Sequence, residues 1–277
     1  MITGKTRLIA HLGYPTEAFK APMIYNPYFE QAGIDAVVTP MGVKPEDYAS
    51  FLGPLFRLSN MHGALVTMPH KVATVALLDE ATPTVRIAGS CNAIVKRPDG
   101  TLLGDMFDGT GFVRGIERKG RPLKGARAFV VGAGGVGSAI AASLAAAGVG
   151  AISLYDAHPA SAEALGARLS QHYPALSVRV GNGDPAGHDI VVNATPLGMK
   201  ESDPLPFDIA RVDKETLVGE VVMKAEQTPL LRAALARGLE IQVGTDMLFE
   251  MIPAYLEFFG FGSATADELR AVAQIRY

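Results

Sequence analysis

Three groups of residues in this chain have the types and spacing to do chemistry. The first is Lys71, closing the stretch "LVTMPHK". Pro69 suits a helix start, which puts Lys71 in the first turn. A cation there faces the unfavourable end of the helix dipole. That dipole, with partial burial, favours the neutral amine a general base needs. The plain alternative is a solvated surface lysine. The second group lies in "GSCNAI" and "GDMFDG". Asn92 either shapes a turn or hydrogen-bonds a hydroxyl. Asp108 either caps the following helix or sits beside Lys71 and orients it. Cys91 reads as buried filler. The third group is Gly132, Gly134 and Gly137, spaced G-x-G-x-x-G directly after the apolar run "AFVV". The first glycine permits a tight turn, the second lets backbone approach a pyrophosphate, and the third lets helix pack closely on strand. The helix start, with Gly135 and Val136, offers N–H groups to phosphate. Asp156 ends the next strand, where a carboxylate accepts from ribose hydroxyls and repels a 2′-phosphate. No Lys or Arg lies between Tyr155 and Ala167. The pattern therefore predicts NAD rather than NADP.

These groups need elements to hold them. Strand-like and helix-like segments alternate throughout, which predicts an α/β fold with largely parallel sheets. "RLIAHL", "IDAVVTP" and "HGALVTM" read as strands. Pro22 starts a helix ending near Gly33, with Pro27 as a potential kink. Pro45 with Glu46 and Asp47 makes a good first turn for another. Pro98-Asp99-Gly100 marks a hairpin. From Arg127 the pattern becomes strand, glycine turn, alanine-rich helix, strand. "DIVVNATPLGM", "TLVGEVVM" and "EIQVG" follow as buried strands, and 247–277 returns to helical spacing.

The 277 residues suit one large domain or two ordinary ones, and 48% hydrophobic residues supply a substantial core. A net charge of −3 gives no basic excess to track nucleic acid or anionic lipid. A single cysteine excludes an internal disulfide. The N-terminus lacks a signal-peptide apolar core, and 139–154 reads as helix plus strand, not a membrane span. We expect a cytoplasmic protein, a monomer or homodimer, with a small-molecule partner and neither nucleic acid nor membrane. The histidines lack metal-ligand spacing, so no metal is expected, and His70 reads as pocket wall.

The "GYP…P" loop, "VTMPHK", "CNAI", "GDMFDGTGF", "GAGGVGSA", "NATPLGM", "QTPLL" and the terminal "ML", in this order, resemble the shikimate dehydrogenase family. The match covers nearly the whole chain. It implies a substrate domain from 1–109 and 247–277, an NAD(P) domain of Rossmann type from 110–246, and an active site in the cleft. It implies a catalytic pair, Lys71 and Asp108, with Asn92 on the substrate's ring hydroxyls and Thr67 in the substrate site. It carries cofactor roles onto Asn193, Thr195, Pro196, Leu197, Val221, Gly244 and Met247. The family reaction moves hydride between nicotinamide and a ring carbonyl.

The departures cluster in substrate recognition. Phe19-Lys20-Ala21-Pro22 stands where the family reads Ser-x-Ser-Pro, the clamp for a carboxylate. Leu65 replaces an asparagine, Met106-Phe107 an Asn-Thr, Met223 a tyrosine and Met251 a glutamine. An unpaired carboxylate in apolar surroundings costs several kcal/mol. We therefore expect an NAD-dependent oxidoreductase acting on a cyclic alcohol or ketone, with Phe19, Ala21 and Met251 in the substrate site and shikimate a poor substrate. Lys20 either rescues a carboxylate as a point charge or lies in solvent. The alternatives are a true shikimate or quinate dehydrogenase, a non-catalytic NAD-binding sensor, and a methylene-tetrahydrofolate dehydrogenase.

Overall fold

The structure is a computed structural model that describes residues 2–275. The chain divides into two compact units, 1–107 with 252–277, and 108–251. In chain order the elements of the first stretch are β1 (Arg7–Gly13), α1 (Pro22–Gln31), β2 (Ala36–Gly42), α2 (Pro45–Phe56), β3 (Met61–Val66), α3 (Lys71–Thr74), β4 (Glu80–Ala81), α4 (Pro83–Ala88), β5 (Ala93–Lys96) and β6 (Leu102–Asp105). Then come α5 (Asp108–Arg118), β7 (Arg127–Val131), α6 (Gly135–Ala146), β8 (Ala151–Tyr155), α7 (Pro159–His172), β9 (Ser177–Val180), β10 (Ile190–Asn193), β11 (Leu217–Glu220), α8 (Pro229–Ala236), β12 (Glu240–Gln242), α9 (Gly244–Phe258) and α10 (Ala266–Val272).

The first unit is built on a sheet ordered β2-β1-β3-β5-β6-β4. β1 pairs in parallel with both β2 and β3, whereas β5 runs antiparallel to β3 and β6. The turn joining β5 to β6 is the expected hairpin, with Gly100 at φ 88°. Proline and capping chemistry set the helix starts. Pro45 begins α2 with Glu46 and Asp47 in its first turn. Thr82 caps α4 by accepting from Val85 N, and Thr265 with Glu268 forms a capping box on α10. Pro27 does not end α1; the helix runs through it to Gln31. The neighbouring Asn26 side chain exchanges hydrogen bonds with both backbone groups of Val38, pinning α1 to β2.

The second unit has a sheet ordered β12-β11-β10-β7-β8-β9, parallel at every pairing. Counted from β7, this is the doubly wound order with its switch point between β7 and β10. Buried on both faces, β10 reads as an unbroken apolar run, as such strands must. Phe129, Val131, Val191, Phe207, Val218 and Leu230 share one core cluster.

The division differs from the sequence-derived boundaries at Asp108–Gly109 and at 247–251, which lie in the second unit. Packing explains it. A Cβ on Gly109 would come 2.1 Å from Ala139 O, so α5 lies flush on α6. A Cβ on Gly111 would come 2.4 Å from Met247 O and 2.7 Å from Met251 Cβ, so the start of α9 lies equally close to α5. Among the described residues no helix is long and apolar enough to cross a membrane.

Candidate active site

Topology gathers one set of predicted residues at a single end of the first sheet. β1 and β3 are parallel, so the loops that follow them emerge together. Thr67 N donates to Leu12 O (2.8 Å) and Tyr14 N to Met68 O (3.1 Å). β5 runs the other way, so its start meets the end of β3, where Val66 N donates to Asn92 O (2.8 Å). Asn92 N donates to Asp105 O (3.0 Å), which brings in the end of β6, and Cys91 N donates to Lys71 O (2.8 Å). Main-chain hydrogen bonds thus fix the 14–21 loop, Thr67, Lys71, Asn92 and the 105–107 segment beside one another. Asn92 is buried, and its Oδ1 accepts from Phe107 N (2.9 Å), while Tyr255 OH donates to Asn92 O (3.2 Å). Asn92 therefore holds its own neighbourhood together.

Lys71 is the first residue of α3, a helix of four residues. So short a helix carries little dipole, and the expected dipole effect on Lys71 loses most of its weight. His70 is not pocket wall. It is buried, its ring lies on Tyr48 (centroids 3.9 Å, planes 2° apart), and its Nε2 pairs with Val43 O at 2.7 Å. The residue before Lys71 is thereby pinned to α2. Burial lowers the His70 pKa, partly opposed by that hydrogen bond. Cys91 is buried with its thiol on Ala93 O, and burial pushes its pKa up to about 12, as an inert filler requires. Asp108, also buried, is the first residue of α5.

At the two positions where the resemblance implies a carboxylate clamp, Ala21 is buried and Phe19 is half-buried. The Phe19 ring stacks on His11 (centroids 4.0 Å, planes 27° apart). A Cβ on Gly13 would come 2.5 Å from Thr67 Cγ2 and 2.8 Å from Phe19 Cζ, so strand end, threonine methyl and aromatic edge meet at one point. Met106 departs from expectation: it is fully buried in the core. Its neighbour Phe107 packs on Tyr255 (4.8 Å) and Phe258 (5.4 Å).

In the second unit the glycine turn has the shape its spacing predicts. Gly132 has φ 101°, and a Cβ on Gly137 would sit 1.9 Å from Gly132 O, which only glycine permits. A Cβ on Gly134 would meet nothing within 4 Å, leaving that face open for a phosphate. No side chain caps α6, whose first turn holds Gly135, Val136 and Gly137. Asp156 lies over the turn. Its Oδ2 accepts from Ala133 N (2.7 Å) and its Oδ1 from His158 N (2.8 Å). Across the switch point, Asn193 Oδ1 accepts from Thr195 N and Oγ1, and Thr195 Oγ1 accepts from Leu197 N, shaping the Asn193–Leu197 loop around Pro196. Beneath it lies Glu220, buried at the end of β11. It accepts from Asn193 Nδ2, Val221 N, Val222 N and Thr228 Oγ1. Gly244 lets α9 approach β11, since a Cβ there would come 2.6 Å from Val222 O. Met247 is buried in the next turn. An open glycine turn, an uncapped helix start and a carboxylate at the strand end fit a dinucleotide.

Curated relatives decide the family. The chain is 34% identical over 99% of its length, and 98% of the relative's, to the shikimate dehydrogenase (NADP(+)) of Acidiphilium cryptum. The chain belongs to the shikimate dehydrogenase family. Members are oxidoreductases acting on a CH–OH group with NAD(P) as acceptor. The profile of the shikimate dehydrogenase substrate binding domain matches residues 12–94, and that of the ThiF family matches 113–169, the region around the glycine turn. Among solved structures, shikimate 5-dehydrogenase from Listeria monocytogenes, in complex with shikimate and NAD, superposes with TM-score 0.89 at 26% identity, covering 98% of this chain and 97% of that one. The 5-ketofructose reductase of Gluconobacter sp. strain CHM43 superposes with TM-score 0.87 at 25% identity, covering 98% and 99%.

Two buried residues, His11 and Glu220, lie outside the sites that the sequence points to. His11 has no metal-ligand spacing, yet it backs Phe19. Its signal was a histidine flanked by apolar residues on a buried strand. Glu220 passed as part of an apolar run, and its signal was a carboxylate inside a strand with no room for solvent.

Proposed function

We propose that this protein is an NAD-dependent oxidoreductase interconverting a cyclic alcohol and its ketone, with a substrate that lacks shikimate's carboxylate or carries a less polar group in its place. The observation that carries this reading is the Phe19 ring, stacked on His11 against Gly13 and Thr67, with Ala21 buried beside it. Neither position offers a hydroxyl to hold an anion. The likeness to a 5-ketofructose reductase supports it, since that name denotes an uncharged keto-sugar.

In this reading Lys71 Nζ takes the hydroxyl proton on oxidation and returns it on reduction, and Asp108 orients the lysine. Bound nicotinamide supplies the hydride acceptor. Asn92 and Thr67 position the ring, with Phe19, Ala21 and Met251 lining the site. Gly132, Gly134, Gly135, Val136 and Gly137 take the pyrophosphate, and Asn193, Thr195, Pro196, Leu197, Val221, Gly244 and Met247 bound the rest of the dinucleotide. Asp156, with no cation from 157 to 167, selects NAD over NADP. A single buried Cys91 suits a reducing cytoplasm.

Steady-state turnover with shikimate, quinate and uncharged cyclic polyols, each with NAD and NADP, tests the reading. We expect the polyols to be preferred and NAD to exceed NADP about tenfold in kcat/KM, the scale of one charge-assisted contact. Efficient shikimate turnover at low-micromolar KM would sink the altered substrate, and equal use of NADP the cofactor preference. A Lys71→Ala variant that matched the parent on every active substrate would remove the catalytic assignment.

A further inference from the structure

His11 is a buried polar residue of the first unit that the proposed reaction leaves without a task, and among the described residues Tyr25 OH is another orphan there, on α1. His11 lies on β1, buried, with Phe19 stacked on its face. Its Nδ1 is shut from water and has no hydrogen-bond partner among the described residues. Buried polar atoms are almost always paired, and an exception calls for a missing partner. Structural alternatives are weak here. Apolar residues surround it on the strand, Ile9, Ala10 and Leu12, and a valine or leucine would pack there without leaving an orphan atom. The other buried histidine of this unit, His70, does have its partner, the Val43 carbonyl. His11 also stands at the right place. Its stacking partner Phe19 occupies the clamp position, one ring edge from Gly13 and Thr67, and the charge of Lys71 reaches it.

We propose that His11 is a specificity-determining residue that hydrogen-bonds a substrate hydroxyl at the end of the ring where relatives hold a carboxylate. This rests on the reading that the substrate is a cyclic alcohol seated beside Lys71. Burial, reinforced by Lys71, pulls the imidazole pKa down to about 3, so the ring is neutral through the working range. A neutral imidazole has one donor and one acceptor. A hydroxyl can give or take a proton and suits either tautomer. A carboxylate only accepts, so it suits one tautomer alone, and the neutral ring and Phe19 add no charge of their own to balance it. Phe19 is only half-buried, and the proposal requires its ring to turn aside for a hydroxyl to reach Nδ1. The substrate class is thus a ring polyol with a hydroxyl or hydroxymethyl group at this end.

The test uses a matched pair, shikimate and its hydroxymethyl analogue, with the intact enzyme and NAD. The parent should prefer the analogue at least tenfold in kcat/KM. His11→Phe, which keeps the ring and the stack, should raise KM for the analogue about tenfold with kcat within threefold, the size of one lost hydrogen bond. His11→Gln should recover part of that loss, which a purely structural role would not show. Neither change should alter KM for NAD. Calorimetric binding of the analogue to parent and variants is read alongside. Binding that weakens in His11→Phe while the parent turns over neither compound would retain His11 and reject the proposed reaction. Unchanged KM and unchanged binding in His11→Phe, or no binding of the analogue to the parent, would overturn the proposal.

Discussion

Removing the Glu220 carboxylate tests whether the Asn193–Leu197 loop and the 221–228 segment are held by one buried anchor. Glu220 Oε1 accepts from Val221 N (2.8 Å), Val222 N (3.0 Å) and Asn193 Nδ2 (3.1 Å), and Oε2 from Asn193 Nδ2 (3.1 Å) and Thr228 Oγ1 (3.0 Å). In Glu220→Ala the two backbone N–H groups and the Thr228 hydroxyl lose their acceptor, while Asn193 keeps Leu197 O. At about 1–3 kcal/mol per buried orphan, offset by water entering the space, the loss is about 3–5 kcal/mol. That lowers the melting temperature by roughly 10 °C, and the slackened Asn193–Leu197 loop raises KM for the dinucleotide. Glu220→Gln keeps an acceptor for the backbone pair but turns a donor toward Asn193 Nδ2, costing about 1 kcal/mol. The pH dependence separates the two variants further. Burial raises the Glu220 pKa above its ordinary 4.5, opposed by its hydrogen bonds. The folded state thus holds the proton more tightly than the unfolded chain. The stability this gives is complete below pH 4.5 and is lost as pH rises through the raised value. Parent minus Glu220→Gln stability, from urea unfolding, should therefore fall as pH climbs from 4.5. A Glu220→Ala protein melting within about 2 °C of the parent, with unchanged KM for NAD, would refute the anchor, since even one orphaned donor costs more.

Gly137→Ala places a methyl 1.9 Å from Gly132 O, a backbone atom that cannot give way, so NADH binding followed by fluorescence should be lost; undiminished affinity would contradict the turn geometry. His70→Ala removes the ring on Tyr48 and leaves Val43 O unpaired, costing about 2–4 kcal/mol in chemical denaturation and reducing kcat through a displaced Lys71. Thr265→Ala breaks the capping box of α10, with an expected loss of about 1 kcal/mol and no change in kcat.

Much of this was legible in the sequence, and what was not has physical causes. The glycine spacing announced the β7–α6 turn because Gly132 and Gly137 each answer a local steric demand that no other residue meets. The parallel sheet followed from apolar runs such as "IVV", which leave no face for water. β9 is a mostly exposed edge strand, and its alternation of Val178 and Val180 with Ser177 and Arg179 is too short to set it apart from a loop. The partners of Asn92 were beyond reach as well: Phe107 and Tyr255 come to it from 15 and 163 residues away. His70 misled because its neighbour is Lys71, and adjacency in sequence says nothing of which way a side chain turns. The inward turn of Met106 was hidden for the same reason, since a residue just past the end of β6 has no period to read.

The way the first unit is assembled would let the proposed change of substrate leave Lys71 undisturbed. Lys71 is anchored through its carbonyl to Cys91 N, Asn92 through its backbone to Asp105 and Val66, and the 14–21 loop through Tyr14 N to Met68 O. None of these bonds uses the side chain of Phe19, Ala21 or Leu65. Exchanging a serine for phenylalanine at 19 alters what the loop presents while leaving untouched the main-chain bonds that hold Lys71. Such an exchange must still be packed, and His11 supplies the surface for it at 4.0 Å. Phe19 and His11 therefore act as a unit. Substituting Phe19→Ser alone would restore one hydroxyl beside a neutral imidazole, without the second hydroxyl at 21 that a carboxylate needs. Shikimate turnover should rise only when Phe19→Ser and Ala21→Ser are combined. Gains from the two single substitutions that multiplied to give the gain of the pair would show that the two positions are independent and that the stack has no part in selecting the substrate.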